Sequence, residues 1–289
     1  MNSKNVSRRM ILKSGLAVFV GGCALQTSCR KEGEQMAKRD IPVGLQLWTV
    51  KTECAKDFPG TIAKVAKMGY AGVEFAGYYE RSAKDVRKML DDNGLKCCGT
   101  HTQLNTLTGD NLAKTIEFNK VIGNKYLIVS SLDQKTHTTK AAWLETAKVF
   151  NELSAKLKPE GMMTGYHAHA WDFKSIQGEI PWDIFFSNTS KDVIMQIDTG
   201  NAMQGRADPV AYLKKYPGRA VTIHLKEYSA KNPKALIGEG DVKWQGVFAA
   251  CESTGRTQWY IIEEESGEYP PLEAAEKSLK NYKKLRNIA

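Results

Sequence analysis

From residue 42 onward the chain repeats one pattern. A helical stretch ends in glycine, and a short apolar run starts within a few residues. The pattern can be read six times: Gly69 before 70–75, Gly94 before 95–100, Gly123 before 126–130, Gly161 before 162–167, Gly218 before 221–225, and Gly255 before 259–263. Glycine just past a helix supplies the left-handed cap. Apolar runs with little alternation are those of strands buried on both faces. Two more runs, 43–50 and 193–198 (the latter after a polar turn at 187–192), bring the predicted strands to eight. Helical patterns fill the intervals at 82–93, with an N-cap-like Ser82, and at 112–122, 141–157, 209–216 and 242–254. A last helix over 272–288 closes the chain.

Strands alternating with helices predict an α/β fold, a single (β/α)8 TIM barrel. A doubly wound open sheet competes, but no glycine-rich dinucleotide fingerprint follows the first strand. Ionisable residues also gather at the C-terminal ends of the strands, where barrel enzymes keep their active sites. In strand order these are Gln46 and Trp48; Glu74; His101; Ser130 and Ser131; His167 and His169; Asp198 with Asn201; His224 with Lys226; and Glu263, Glu264 and Glu265. Of the five histidines, only His137 lies elsewhere.

Residues two apart on a strand share a face. If these faces point into the barrel mouth, His167, Asp198, His224 and one glutamate converge. Two imidazoles with two carboxylates suit Mn²⁺, Zn²⁺, Fe²⁺, Co²⁺ or Ni²⁺ better than Mg²⁺ or Ca²⁺. Each residue alone reads about equally well as a core histidine, an ordinary turn at 198–201, a solvated rim or an ion-pair partner. The functional reading rests on their falling together at one end, because burying so many ionisable groups without a purpose is costly. Lys226, within an apolar strand, either has a depressed pKa or holds an anionic oxygen.

Composition narrows the class. The 289 residues are 42% hydrophobic and 25% charged, a globular balance. No run of 18 apolar residues follows the N-terminus, which excludes a polytopic membrane protein. Residues 1–40 carry +5 of the formal net charge of +9 and the remaining residues hold no Lys/Arg run, so no nucleic-acid partner is expected. Cys54, Cys97, Cys98 and Cys251 form no CxxC and are expected as buried free thiols.

The first forty residues read as an address. Ser7-Arg8-Arg9-Met10-Ile11-Leu12-Lys13 resembles the twin-arginine export signal, and an apolar stretch from Gly15 to Leu25 follows it. The segments ending at Cys23 and Cys29 each resemble a lipobox. Cys29 is the expected lipid anchor, with Cys23 or plain cleavage as alternatives. The expected product is an exported protein, periplasmic or a membrane-anchored lipoprotein. The organisation is then 1–40 as signal and linker and 41–289 as barrel.

The body resembles the xylose isomerase-like barrel superfamily of sugar phosphate isomerases and epimerases. The matching pieces are Gly44-Leu45-Gln46-Leu47-Trp48, Gly72-Val73-Glu74-Phe75, Tyr166-His167-Ala168-His169, Ile197-Asp198-Thr199-Gly200-Asn201, Ile223-His224-Leu225-Lys226-Glu227, Gly238-Glu239-Gly240 and 259–265. The resemblance implies one divalent metal held by His167, Asp198, His224 and Glu263, with Glu265 as the alternative last ligand. His167 stands where the family usually carries Glu, a departure resembling the Tyr-His-x-His branch that includes inosose dehydratase-like proteins. It makes symmetric two-glutamate epimerisation doubtful. Asn201 stands where epimerases often have a substrate-binding His. The same resemblance makes a homodimer a common assembly.

The implied chemistry is proton removal beside a metal-chelated carbonyl, giving a metal-bound enediolate. Glu263 or His169 is the candidate base and Lys226 the oxyanion partner. Gln46, Trp48, Glu74, His101, Asn201 and Glu239 are the candidate substrate contacts. The first expectation is isomerase or epimerase action on an unphosphorylated sugar. The runner-up is a lyase or dehydratase on a keto-sugar or 3-keto-glycoside, and the third reading a non-catalytic carbohydrate-binding lipoprotein. Endonuclease IV relatives share the barrel but need more metal ligands and a basic groove.

Overall fold

The eight apolar runs pair side by side as parallel strands: β1 (Val43–Gln46), β2 (Gly72–Phe75), β3 (Lys96–Thr102), β4 (Tyr126–Val129), β5 (Met163–His167), β6 (Ile194–Gln196), β7 (Thr222–Leu225) and β8 (Trp259–Ile262). This is a computed structural model that describes residues 39–133, 135 and 137–288. The twin-arginine motif, Cys23 and Cys29 lie outside the described residues. The ladder order is β6-β5-β4-β3-β2-β1-β8-β7, with every pairing parallel. The helices between and after the strands are α1 (Lys51–Lys56), α2 (Phe58–Met68), α3 (Ala83–Asp92), α4 (Asn111–Ile122), α5 (Lys140–Leu157), α6 (Pro181–Ser187), α7 (Thr199–Gln204), α8 (Pro209–Lys215), α9 (Trp244–Ala250) and α10 (Pro271–Arg286). The predicted (β/α)8 barrel is therefore the fold.

Local chemistry sets the element ends. Ser82 caps α3 by accepting from the Asp85 amide at 3.2 Å. Gly69, Gly94, Gly123, Gly161 and Gly218 all take the left-handed conformation expected after a helix. Gly255 does not. A π turn over Cys251–Gly255 adds a residue to the end of α9, so the left-handed position falls on Arg256. The first strand is shorter than its apolar run. Leu47–Val50 coils into a 3-10 turn, because the Gln46 side chain accepts from the Trp48 amide at 3.0 Å. The sixth strand likewise stops early, since Asp198 becomes the N-cap of α7 and bonds the Asn201 amide at 2.7 Å.

Alternation within a strand divides the two sides of the barrel wall. On β5, Tyr166 packs outward against Trp143, Phe150 and Phe185 in edge-on and tilted ring contacts, while His167 turns into the barrel. Burying each such ring contributes roughly 1.5–3 kcal/mol. Cys54, Cys97, Cys98 and Cys251 are buried free thiols, as expected. Burial pushes Cys54 up to about 11, and Cys97 and Cys251 up to about 12, so none is a thiolate at neutral pH.

The wall has one seam without a ladder, between β6 and β7. It is closed by an isolated parallel bridge between Asp198 and His224. The His224 amide donates to Ile197 O at 3.0 Å. Beyond it, the Thr199 hydroxyl stands in for ladder groups, donating to Lys226 O at 2.7 Å and accepting from Lys226 N at 3.0 Å.

Candidate metal centre and active-site cavity

The C-terminal strand ends surround a cavity of about 480 Å³. His101, His167, His169, Asn201, Lys226 and Glu263 all reach its wall, together with Trp48 and Glu265 at the rim and Ser130 and Ser131 opposite. At its base, His167, Asp198, His224 and Glu263 each offer one donor atom, and these atoms lie within 4.8 Å of one another. All four residues are buried. The predicted ligand set thus converges.

Two features test whether the set fits a divalent ion. Asp198 Oδ1 is used by the Asn201 amide, but its Oδ2 is buried without a hydrogen-bond partner. A buried carboxylate oxygen with no donor is costly. The donor set itself, two imidazoles and two carboxylates, suits a borderline divalent ion. The residues therefore fit a metal.

Electrostatics in the metal-free cluster are pulled in opposite directions. Burial opposes a charge on His224, but Glu74 and Glu263 flank it at 2.6 Å on either nitrogen and raise it to about 10. Burial pushes Glu263 upward, yet the His224 hydrogen bond and charge and the Lys226 ammonium hold it down at about 2. Burial raises Asp198 to about 6 despite the opposing pull of Lys226. His167 is driven well below its usual value by burial and the neighbouring histidines. It is a neutral imidazole, the form that ligates.

Lys226 and His169 face the same cavity with opposite protonation. Burial disfavours the ammonium, but Asp198, Glu263 and Glu265 outweigh it and hold Lys226 above its usual value. The depressed-pKa alternative for Lys226 is thus corrected: three carboxylates surround it, and it is ion-paired to Glu265. Burial lowers His169 to about 4, so it is neutral, and its Nδ1 has no partner. Its ring stacks on the half-exposed Trp171 at 4.2 Å. Asn201 is held by a bond from its amide group to Ala168 O at 3.0 Å. Trp48 donates to Glu265 Oε1 at 2.9 Å.

Three expected substrate contacts sit elsewhere. Gln46 and Glu74 are fully buried, beneath the cavity rather than on its wall. Both lie inside the strand ladder, as the partnered pair of β1 and β2. Glu239 is on an exposed loop, where it accepts from Leu236 N at 3.0 Å and from Asn281 at 3.1 Å. That loop is instead organised by Glu227, which accepts from Gly238 N, Val242 N and Trp244 Nε1.

Sequence reading missed two residues that support the site. Gln196 is a fully buried hub on β6. Its Nε2 donates to Glu74 at 2.8 Å and Thr222 at 3.0 Å, and its Oε1 accepts from His101 at 2.9 Å and His167 Nδ1 at 3.1 Å. The signal was its position two before Asp198, on the same face. Asp172 is buried, bonds the His169 amide at 2.7 Å and accepts from Tyr166 OH at 3.1 Å. Burial raises it to about 7. Its signal was the capping spacing three residues after His169.

Comparison with known proteins decides the family. The family model described as xylose isomerase-like TIM barrel matches residues 62–285. The chain belongs to that family. Among xylose isomerase-like relatives, inosose dehydratase of Erwinia tasmaniensis is 24% identical over 247 residues, covering 72% of this chain and 82% of the relative. Inosose dehydratase of Clostridium botulinum is 24% identical over 271 residues, covering 80% and 90%. A crystal structure of a sugar phosphate isomerase/epimerase from Parabacteroides distasonis superposes with a TM-score of 0.69 at 25% identity, covering 86% of this chain and 96% of that one. The family thus spans both outcomes expected from the sequence, lyase and isomerase.

Proposed function

We propose that this protein is a divalent-metal-dependent enzyme that abstracts the proton beside the carbonyl of an unphosphorylated keto-sugar or keto-glycoside and completes a β-elimination. His167, Asp198, His224 and Glu263 would hold the ion. An ion there supplies Lewis acidity, polarising a carbonyl and acidifying the adjacent C–H.

The observation that carries the elimination reading is the unlike pair on the cavity wall, neutral His169 and charged Lys226. Elimination needs one group to take a proton and another to give one to the departing oxygen. His169 takes the C–H proton. The electron pair passes through the enediolate to expel the β-oxygen, and the Lys226 ammonium protonates that oxygen as it leaves. Glu263 would be one of the four groups holding the ion, which leaves His169 on the cavity wall of the two bases expected from the sequence. Asn201 supplies a polar contact for hydroxyls, and Trp48 an aromatic face at the rim. The relatives named inosose dehydratase favour the same outcome.

Isomerisation or epimerisation, the first expectation from the sequence, is the second reading. It is favoured by the structural relative named as a sugar phosphate isomerase/epimerase. The cavity argues against a phosphorylated substrate. Lys226 is the one lysine or arginine on its described wall and already faces three carboxylates. A phosphate dianion would meet them too. Export directed by residues 7–25, with Cys29 as anchor, is part of the same proposal, and cell fractionation with lipid labelling tests it.

Incubating the metal-loaded protein in D₂O with unphosphorylated ketoses and 3-keto-glycosides tests the reaction. Elimination gives an ultraviolet-absorbing enone and a released alcohol or water. Isomerisation gives deuterium at the α-carbon without a chromophore. Binding of sugar with neither exchange nor product would leave the binding-protein reading in place of both.

A further inference from the structure

The cluster leaves one buried carboxylate without a role. Glu74, the third residue of β2, is fully buried and does not reach the cavity. Its Oε2 lies 2.6 Å from His224 Nε2 and 3.2 Å from His101 Nε2, and accepts from Gln46 Nε2 at 2.7 Å. Its Oε1 accepts from Gln196 Nε2 at 2.8 Å. Hydrogen-bond partners from three strands, with His101 close by, fix one carboxylate. The room for it comes from Gly99, which a β-bulge sets opposite Glu74. A Cβ on Gly99 would stand 2.6 Å from Glu74 Oε1.

The two nitrogens of His224 face different company. Nε2 faces Glu74 Oε2. Nδ1 lies 2.6 Å from Glu263 Oε2 and 3.9 Å from Asp198 Oδ2, among them. A neutral imidazole carries one N–H, and an ionised carboxylate can only accept. A carboxylate on one nitrogen therefore selects the tautomer and leaves the other nitrogen's lone pair for a metal.

We propose that Glu74 is a positioning residue that holds His224 as the Nε2–H tautomer, so that Nδ1 is the atom His224 offers to a divalent cation. The proposal rests on the metal-centre reading above and adds which atom ligates and what aims it. Gln196 does the same for His167, accepting from its Nδ1 and so leaving the lone pair on Nε2.

The test uses the full chain stripped with chelator. Zinc binding is measured by calorimetry for the parent, Glu74→Gln and Asp198→Asn, and ring-¹⁵N histidine spectra are recorded for the zinc-loaded parent. We expect Glu74→Gln to bind zinc about 10–100-fold more weakly with an unchanged far-ultraviolet spectrum. We expect the zinc-loaded parent to carry the His224 proton on Nε2. Zinc affinity of Glu74→Gln within twofold of the parent, or a His224 proton on Nδ1 in the zinc-loaded parent, overturns the proposal. The spectrum decides even if the variant does not fold. A parent that binds no zinc defeats the metal-centre reading and this proposal with it. That outcome is distinct, because it leaves no affinity for Asp198→Asn to abolish.

Discussion

Asp198 and His224 are paired twice: as neighbours in the proposed metal centre and as the isolated bridge that joins β6 to β7 where the ladder is missing. An ion held by both would tie the seam. Anything that binds the folded state alone stabilises it by mass action, about 2.7 kcal/mol at a hundred times Kd. Zinc or manganese should therefore raise the thermal midpoint of chelator-stripped protein by several degrees. Amides on either side of the seam should gain hydrogen-exchange protection more than those on β3 and β4. Uniform protection would disconnect the ion from the seam.

Replacing Asp198 with Asn should separate stability from function. Burial raises the Asp198 carboxyl to about 6, above its unfolded value near 4. The sign follows from linkage. A raised acid contributes stability below its unfolded pKa and loses it as pH rises through the folded one. At pH 7 the parent carries that strain and the amide does not, while Asn still caps α7. Metal-free Asp198→Asn should be about 1–3 kcal/mol more stable than the parent at pH 7, with the gap closing below about pH 4. Urea titrations at the two pH values measure it. The variant should also lose metal binding.

Metal uptake should release a proton. Glu74 and Glu263 raise His224 to about 10 against the effect of burial, so the metal-free protein carries a charged His224 at neutral pH. That contribution to stability is full below about 6.5 and is lost as pH rises through about 10. Ligation needs a free nitrogen, so a divalent ion must displace the proton. Calorimetry of zinc binding at pH 7 in two buffers of different ionisation enthalpy should give about one proton released per ion. Zero would mean that His224 is not a ligand.

Gly99→Ala should act through Glu74. The added methyl group would meet Glu74 Oε1 at 2.6 Å in a fully buried site. Overpacking of this kind costs about 1–3 kcal/mol. Chemical denaturation should show that loss, and zinc affinity should fall with it. Loss of stability with unchanged affinity would limit Glu74 to a packing role.

Lys226→Gln removes the proposed proton donor and keeps a polar side chain beside Glu265. In an elimination assay kcat should fall about 10²–10⁴-fold. The loss should be smaller with substrates whose leaving groups are already acidic. An equal loss across leaving groups would assign Lys226 to oxyanion binding instead.

Barrel and ligand set were legible in the sequence for the same reason. Parallel strands in a barrel all end at one face, so strand-end residues such as His167, Asp198 and His224 need no further information to meet. Depth was not legible. Glu74 is the third residue of a four-residue strand, and only the register with β1 and the bulge opposite Gly99 place it below the cavity. Gln196 was missed because a neutral amide carries no charge to flag it, although four partners converge on it. Glu239 and Glu227 are both loop acids, and only the folded loop shows that Glu227 collects its amides.

The seam between β6 and β7 also bears on how the ring is completed. Thr199 and His224, which meet across it, are 25 residues apart, whereas Trp48 and Glu265, which meet at the β1 side of the rim, are 217 apart. Closure entropy grows with the logarithm of loop length, so the long join costs about 2 kcal/mol more than the short one. The chain places a continuous β1–β8 ladder at the expensive join and leaves the cheap one to an isolated bridge and the Thr199 hydroxyl. A barrel arranged in this way can assemble around seven continuous interfaces and settle the eighth last, at the place where its chemistry is done.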